Sequence, residues 1–600
     1  MAKNNLRHRN LNAPVFDEGL EDGPLDESTG FDLRYRINDV PPWYLSIVLG
    51  LQHYLTMFGS TLSLPLLVAP AMCVGNDIIV TSEILGTLLF VSGLITLMQS
   101  TLVNIFACCY FRLPVIQGGS FAFLAPTFAI LNLDKFQCPG YERESINDTN
   151  KTLEMYTGST EHTEVWQVRM REIQGAIIAS SMFQVVIGFS GMIGVLLRYI
   201  GPLSIAPTIS LIGLSLFKEA ANNASQNWWI SLMTVALIVL FSQYLRNTSI
   251  PCCSVKGKRC GCTPYRVFQM FPIILALLIA WGVCAILTVT NALPDDDQHW
   301  AYAARTDIKL NALSKAAWFR FPYPGQWGTP TFSVASVFGM LAGVLAGTIE
   351  SIGDYYAAAR MSGAPIPPLH AINRGVFMEG IGCTLAGVWG TGSGTTTYSQ
   401  NIGAIGITKV GSRRVIQVAA IIIMIFGLIG KLGALFVSIP GPILGGIFMV
   451  MFGMITAVGI SNLQFVDLDS SRNLFIFGFS LFFGLCLPQW VKTKGNFIHS
   501  GSDVFDQILV VLLTTGMLVG GLTGFVLDNT IPGTKKERGL VEWSRQDVGN
   551  NKGIETYDIP IVTKHLKKWS WTSYFPISPT YSGCKCSSAR GDLEITTVVG

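Results

Sequence analysis

A bundle of membrane-spanning helices built as two inverted halves is the fold class this sequence predicts, and three observations carry it. Of its 600 residues, 50% are hydrophobic and 13% charged, where a soluble globular chain carries about 25% charged residues. Several apolar runs reach the ~18 residues that a helix needs to cross hydrocarbon. In matching places of the two halves, a polar, glycine-interrupted stretch stands where a span is due: Leu113 to Pro126 and Thr391 to Arg414.

Composition also excludes several classes. A net charge of +3 is too small to imply nucleic acid as a partner, and thirteen cysteines in so long a chain are no disulfide scaffold. The chain has no Gly-x-x-x-x-Gly-Lys-Ser/Thr phosphate loop and no His-Glu-x-x-His or Gly-x-Ser-x-Gly hydrolase motif, so neither an ATP-driven pump nor an embedded enzyme is expected.

The chain opens on a polar stretch of mixed charge (1–42) without a cleavable signal pattern, and Pro41-Pro42-Trp43 marks the water–membrane boundary. Hydropathy then places about fourteen spans. The first half has 44–68, 82–107, a weak 113–131, 173–197, 200–217, 228–245 and 267–290. The second has 332–358, 373–390, a weak 391–407, 412–437, 441–461, 472–489 and 506–528. The implied organisation is a cytoplasmic tail (1–42), a first repeat (43–290), an extracellular loop (291–331), a second repeat (332–528) and a cytoplasmic tail (529–600). An odd number of spans per half requires the halves to be inverted in the membrane.

Flanking charges orient the bundle. Arg246, Lys256, Lys258, Arg259, Arg266, Arg360, Lys409, Arg413 and Arg414 all fall on one side if both termini are cytoplasmic, as the positive-inside rule asks. The loop 132–172 is then outside, with glycosylation sequons at Asn147 and Asn150. Asn223 also comes out extracellular, whereas Asn247 falls inside and should stay bare. Cys73 and Cys138 are the clearest extracellular cysteines under this topology, and an oxidising face suggests that they pair. The Cys252, Cys253, Cys260, Cys262 cluster of an inner loop lacks zinc-site spacing and suggests reduced thiols, open to palmitoylation.

Irregular chain at membrane depth survives only where protein or a water-filled cavity satisfies its polar groups. A pair of short, Gly/Pro-interrupted segments in corresponding positions therefore points to a solute site near the midplane of a transporter. Ionisable residues inside spans are expensive and become functional candidates by default. His53 lies in the first span, and Glu350 and Asp354 lie in the eighth, the corresponding first helix of the second half. Glu350 and Asp354 are one turn apart on one helix face, so a cation, a proton or a hydrogen-bonding solute is expected between them; a structural pair satisfied by the broken segments is the alternative. His53 suits a packed, bundle-satisfied role as well as a site role. Glu379 is expected near the cytoplasmic edge and hydrated, Lys431 snorkelling outward, and Asp467, Asp469 and Arg472 capping and pairing beside a short connection.

Residues Gln400, Asn401, Gly403, Thr408 and Lys409 carry a signature that resembles the nucleobase–ascorbate transporters: Gln, Glu or Pro, then Asn-x-Gly, four residues, Thr and a basic residue. Glu350-Ser-Ile-Gly-Asp354, Gln52-His53 and Gln117-Gly-Gly-Ser-Phe121 also look like motifs of that family, and the likeness runs from about Pro41 to Asn529. It implies a seven-plus-seven inverted repeat with core and gate domains, an elevator movement of one against the other, and a homodimer formed through the gate. Ile429-Gly-Lys-Leu-Gly-Ala-Leu435 and Asp467-Leu-Asp-Ser-Ser-Arg-Asn473 look closest to the animal branch, which couples uptake to sodium and includes vitamin C carriers.

Two departures bear on the solute. Animal ascorbate carriers characteristically place Pro where this chain has Gln400, and Ala and Ser where it has Gly118 and Gly119; both differences favour a nucleobase. The expected function is sodium-coupled uptake of nucleobases at the plasma membrane, with sodium-dependent L-ascorbate symport as the alternative. The expected solute site comprises Glu350, Gln400, Phe121, Ser120, Ser399 and Gly119, with Gly118 shaping the same wall. His53, Asn401 and Gln117 are support, Asp354 holds sodium, and no cofactor is expected beyond that coupling ion. A base offers ring N–H donors to Glu350, both kinds of hydrogen bond to the Gln400 amide, and a π face to Phe121.

Overall fold

The computed structural model describes residues 33–75, 77–101, 113–138, 160–256, 259–296, 299–494, 498–540, 554–558 and 568–581. Two long helices open the first half, α1 (Trp43–Ala71) and α2 (Ile78–Thr101), followed by a short strand, β1 (Gln117–Gly119), and a half-length helix, α3 (Leu124–Leu131). Helix α4 (Thr160–Ser190) comes next, then α5 (Ile193–Tyr199), α6 (Pro202–Ser215), α7 (Phe217–Ser225) and α8 (Trp228–Val239). A hairpin of β2 (Ile250–Lys256) and β3 (Arg259–Tyr265) leads to α9 (Pro272–Val289).

The second half repeats the order. It opens on α10 (Val334–Met361) and α11 (Leu369–Trp389), then a short strand, β4 (Thr395–Thr397), and a short helix, α12 (Ser399–Thr408). After them come α13 (Arg413–Leu428), α14 (Gly430–Val437), α15 (Gly441–Ser461), α16 (Ser471–Lys494), α17 (Asp503–Thr514) and α18 (Gly516–Thr530). The packing shows the inversion: α2 of the first half lies against α13 of the second, and the equivalent pair with the halves exchanged, α11 against α4, is packed as well. Small residues make both seams, because nothing larger fits between backbones this close. A Cβ on Gly86 would lie 2.8 Å from the Gly427 carbonyl oxygen, and one on Gly380 would lie 2.8 Å from the Val185 amide nitrogen.

The two interrupted segments meet at the centre. Strands β1 and β4 pair antiparallel, Gln117 opposite Thr397, Gly118 opposite Thr396 and Gly119 opposite Thr395, and all six residues are buried. Inverting a strand across the membrane reverses its direction, so antiparallel pairing of equivalent strands is what inverted halves produce.

Among the described residues, eight helices are long and apolar enough to cross a membrane, or up to nine if α17 and α18 form one span bent by 80°. The expected fourteen exceeds this, for physical reasons. Spans three and ten are strand plus half-helix. Helix α11 carries His370, Arg374 and Glu379, and the eleventh span breaks at Ile429 into α13 and α14. The loop between the halves repairs that break: Arg320 N–H donates to the Leu428 carbonyl at 2.9 Å, and Gly430 N–H to that of Trp318 at 3.1 Å.

The fourth helix spans Thr160–Ser190 rather than the expected 173–197, because its N-terminal part hides charge. Glu172, 3% exposed, accepts from Ser333 N–H and the Ser336 hydroxyl at 2.7 Å each and so holds the start of α10. Arg169 donates to the Phe136 carbonyl at 2.9 Å. Lys431, partly exposed, donates to the Leu313 carbonyl at 2.8 Å and the Ser314 carbonyl at 3.2 Å, and Arg472 pairs with the buried Asp528 at 3.0 Å.

Residues from both tails lie against this frame: Gly411 N–H donates to the Tyr35 carbonyl at 2.9 Å, Arg374 to the Tyr557 carbonyl at 2.8 Å and Asn373 to that of Pro576 at 3.0 Å. Asn147 and Asn150 lie outside the described residues, as do the side chains of the Cys252–Cys262 cluster.

A disulfide joins Cys73, just past α1, to Cys138, just past α3, with Cα atoms 5.8 Å apart. It closes a loop of 65 residues, and cross-links of this kind stabilise by about 2–4 kcal/mol. Mass spectrometry of non-reduced digests is expected to find the Cys73–Cys138 peptide pair, and Cys73→Ser is expected to lower the melting temperature of the purified protein. Free thiols at both positions would contradict the pairing.

Candidate functional site

The β1–β4 ladder is held from its sides by buried polar groups. Thr397 donates its N–H to Glu379 Oε1 at 2.9 Å, the Ser351 hydroxyl donates to the same oxygen at 2.7 Å, and the Tyr355 hydroxyl and Gln184 amide reach the other oxygen at 3.4 Å each. Glu379 is therefore not a hydrated edge residue: it is 0% exposed, and its carboxylate is the bracket on which β4 hangs. Helix α11 begins at Leu369, earlier than hydropathy suggests, which carries Glu379 deep into the bundle. On the other strand, the Gln117 side chain donates to Gln99 Oε1 at 2.8 Å and Thr397 Oγ1 at 3.0 Å, while its backbone N–H donates to Thr96 Oγ1 at 2.9 Å.

Asn401 ties α12 to α1. Its side-chain amide donates to the His53 carbonyl at 2.9 Å and meets the His53 Nδ1 at 3.2 Å. Nδ1 must then accept, which leaves the imidazole proton on Nε2. Both residues are buried, 2% and 1% exposed, and neither lines the central cavity.

That cavity, about 290 Å³, lies where the interrupted segments face α6 and α15. Gly119, Ser120, Phe121, Glu350, Ser399 and Gln400 all line it, together with Ser60 and Tyr398; the facing wall is apolar, from Ile209, Ile212, Met451, Met454 and Ile455. Phe121 stands edge-on to Phe452 with ring centres 5.7 Å apart. The Ser120 hydroxyl accepts from Ala122 N–H at 3.2 Å. A larger cavity of about 600 Å³ lies by Asn132–Lys135 and Asp503–Val510, away from the broken segments.

Among the side chains that line the central cavity, the Glu350 carboxylate and the Gln400 amide have no protein hydrogen-bond partner, and neither do the hydroxyls of Ser60, Thr396 and Ser399. Glu350 is half-buried and Gln400 exposed to the cavity. Among the lining residues there is no Lys, Arg or His. The N-terminal ends of the 121–131 and 399–408 helical stretches open here, and helix N-termini favour carbonyl oxygen or partial negative charge. Asp354, one turn from Glu350 on α10, is 8% exposed; it lies outside the lining, and its Oδ2 is buried without a partner.

Three placements escaped sequence reasoning. Glu379 is one; the Tyr398–Thr61 contact is another, in which the phenol donates to the Gly119 carbonyl at 2.8 Å and meets Thr61 Oγ1 at 3.4 Å. The third corrects the glycine wall. A Cβ on Gly119 would point at Leu64 and Leu88, and one on Gly118 at the Tyr398 ring, so neither would face the cavity. Only the backbone of Gly119 contributes to the lining. An aromatic hydroxyl at the start of a half-helix was the available signal for Tyr398.

Glu379→Gln keeps the shape of the bracket but turns an NH₂ toward donors. One unsatisfied buried donor costs about 1–3 kcal/mol. Lower thermal stability and reduced surface level are expected, read by melting of the purified protein and by surface biotinylation; wild-type values in both would remove Glu379 from the frame.

The sequence pattern of a permease family, Xan_ur_permease, matches residues 45–493. Solute carrier family 23 member 2 of Homo sapiens is 53% identical over 567 residues, covering 94% of this chain and 84% of the relative. Solute carrier family 23 member 1 of Mus musculus is 50% identical over 565 residues, 93% of this chain and 91% of the relative. Nucleobase-ascorbate transporter 1 of Arabidopsis thaliana is 36% identical over 541 residues, 88% and 96% of the two chains. Among solved structures, the transmembrane domain of the cyanobacterial bicarbonate transporter BicA superposes with a TM-score of 0.41 at 13% identity, over 81% of this chain and 99% of that one.

Proposed function

From a chain that belongs to the permease family, and is a multi-pass membrane transporter of the nucleobase–ascorbate class rather than an enzyme, we propose a sodium-coupled importer of nucleobases at the plasma membrane. The observation that carries this reading is the pairing of an unpartnered carboxylate, Glu350, with an unpartnered amide, Gln400, in a cavity that holds no cationic side chain. A neutral base can donate ring N–H groups to Glu350, exchange both kinds of hydrogen bond with Gln400 and lay its face against Phe121. The apolar facing wall suits a flat ring. The vitamin C carriers that this chain resembles retain the same glutamate, so Glu350 serves either solute and the case for a base rests on Gln400.

A second reading, sodium-dependent L-ascorbate symport, has its own support. The animal solute carriers at 50% and 53% identity stand nearer to this chain than the plant nucleobase–ascorbate transporter at 36%, and vitamin C carriers belong to the animal branch that the sequence resembles. This similarity favours ascorbate over the base.

The cavity lies between two groups of helices: α1, α10, α12 and the strands on one side, α6 and α15 on the other. That placement supports an elevator in which the first group moves the solute past the second, with the second group forming a homodimer. Sodium is assigned to Asp354, whose bare, buried oxygen suits a hard cation.

Uptake of labelled hypoxanthine with competition by uracil, hypoxanthine, xanthine, urate and ascorbate, with and without sodium, tests the reading. Sodium-dependent, saturable uptake inhibited by bases and not by ascorbate is expected. Glu350→Gln should weaken it about ten- to a hundredfold at unchanged surface level, as loss of hydrogen bonds to a charged acceptor implies. Gln400→Glu should reorder the bases. Labelled ascorbate uptake indifferent to bases would establish the second reading instead.

Asp354→Asn should raise the sodium concentration for half-maximal uptake while leaving the order of competing solutes intact. Unaltered sodium activation would move the cation elsewhere.

A further inference from the structure

We propose that an apolar slot between α10 and the α6–α18 pair holds one acyl chain of an anionic phospholipid, with the phosphate at Lys535 and Lys536. The slot measures about 210 Å³ and shares no lining residue with the central cavity. The proposal therefore stands whichever solute that cavity takes.

Ala342, Ala346 and Ile349 of α10 form one wall, and Ile205 of α6 with Gly521 and Phe525 of α18 form the other. Ile193 and Leu196 of α5, on the link between α4 and α6, complete the lining. No charged side chain borders the slot. The Thr208 and Thr348 hydroxyls are satisfied by carbonyls of their own helices, Ser204 and Val344, at 2.7 Å each. The Ser204 hydroxyl is the remaining polar group, and it is buried.

The space is not a loose fit between α6 and α18, which are in close contact. A Cβ on Gly521 would lie 2.3 Å from Thr208 Oγ1, and one on Gly520 would lie 2.1 Å from Leu211 Cδ1. Helix α10 uses its glycines elsewhere: a Cβ on Gly347 would lie 2.8 Å from Thr396 Cγ2, and one on Gly343 3.0 Å from the Ala122 carbonyl oxygen. Toward α6 and α18 it presents Ala342 and Ala346. Small residues on a span let a neighbouring backbone come close, yet here they border open space.

What fills such a space follows from its surroundings. Helices α6, α10 and α18 all belong to candidate membrane spans, and Leu522, on the slot's edge, is 57% exposed, so the slot faces hydrocarbon. Apolar cavities of this kind exclude water and accept apolar ligands. A chain entering from the bilayer gives up no hydration and gains contacts that a void lacks. Charge at one end selects the head group. Ile200 of the lining leads into Gly201, where a Cβ would lie 3.1 Å from Leu540 Cδ2. Leu540 N–H donates to the Lys535 carbonyl at 3.0 Å, closing a turn on which Lys535 and Lys536 are exposed. Arg472 and Arg538 beside them are held by Asp528 at 3.0 Å each. Exposed lysines at the end of a span attract anionic lipid heads.

The purified full chain, reconstituted in phosphatidylcholine vesicles containing phosphatidylserine with a photoreactive acyl chain, tests the site. Labelled peptides are read by mass spectrometry, after the melting temperature of each variant has been checked. In the wild type, labelling is expected on α10 around Ala342–Ile352 and on α18 around Met517–Phe525. Unlabelled phosphatidylserine should compete about tenfold better than phosphatidylcholine, since each lysine near the head contributes. Ala346→Leu and Ala342→Leu fill the slot and should each lose labelling of α10 and α18. Both should keep the labelling of α8, whose Trp229 is 75% exposed. Lys535→Gln with Lys536→Gln should keep the labelling but let phosphatidylcholine compete as well as phosphatidylserine. The lysine pair is exposed, so its replacement reads the head group without disturbing the packing. The proposal is overturned by a wild type unlabelled on α10 and α18, or by labelling that survives in both filling variants. Equal competition by phosphatidylcholine in the wild type would overturn it too, as would displacement by cholesterol and not by phospholipid.

Discussion

Everything at the centre of this protein depends on one constraint: backbone N–H and C=O groups that leave a helix inside a membrane must find partners there. Strands β1 and β4 find them in each other, and the remaining demand falls on Glu379, Gln117 and Thr96. With that demand met, the chain can interrupt two spans and present half-helix ends to a cavity. Two carboxylates divide the work. Glu379 is saturated by donors and makes structure, whereas Glu350 is left bare and is available to a solute. Removing a member of this network strands another, and Gln117 Oε1, Gln99 Nε2 and Gln184 Oε1 already stand buried without a partner.

Much of this was legible in one dimension. Low charge and long apolar runs set the class, and two glycine-interrupted stretches in matching positions marked the site. An acid within a span is costly enough to single out Glu350 and Asp354 from composition alone. The same logic failed for Glu379, since hydropathy cannot say which acid meets donors from other helices, and a late estimate of where α11 begins placed it at the membrane edge. Gly118 and Tyr398 were beyond reach for a related reason. Their relation exists only where two distant segments touch, and a glycine in an interrupted span looks like flexibility until the ring above it is seen.

Whole-chain similarity and the cavity pull toward different solutes, and the structure says why they can. Most of the polypeptide builds the frame: the glycine seams, the ladder, the buried Glu172 at the head of α10. Identity over the whole length measures conservation of that frame. The candidate cavity is lined by a handful of side chains around about 290 Å³ of space, which is too small a share of the sequence to register in an overall percentage.

The exchanged helix pairs bear on how the protein is made. Helix α2 packs on α13 and α4 on α11, so each half of the chain supplies surfaces that only the other can cover. Gly86 and Gly93 of α2 meet Gly427, Ala420 and Met424 of α13, a helix made much later in the chain. Contacts between residues so far apart in sequence form slowly and leave intermediates exposed meanwhile. The first half can pack α1 on α2 and α8 on α9 by itself, but the glycine face of α2 stays uncovered until α13 has been made.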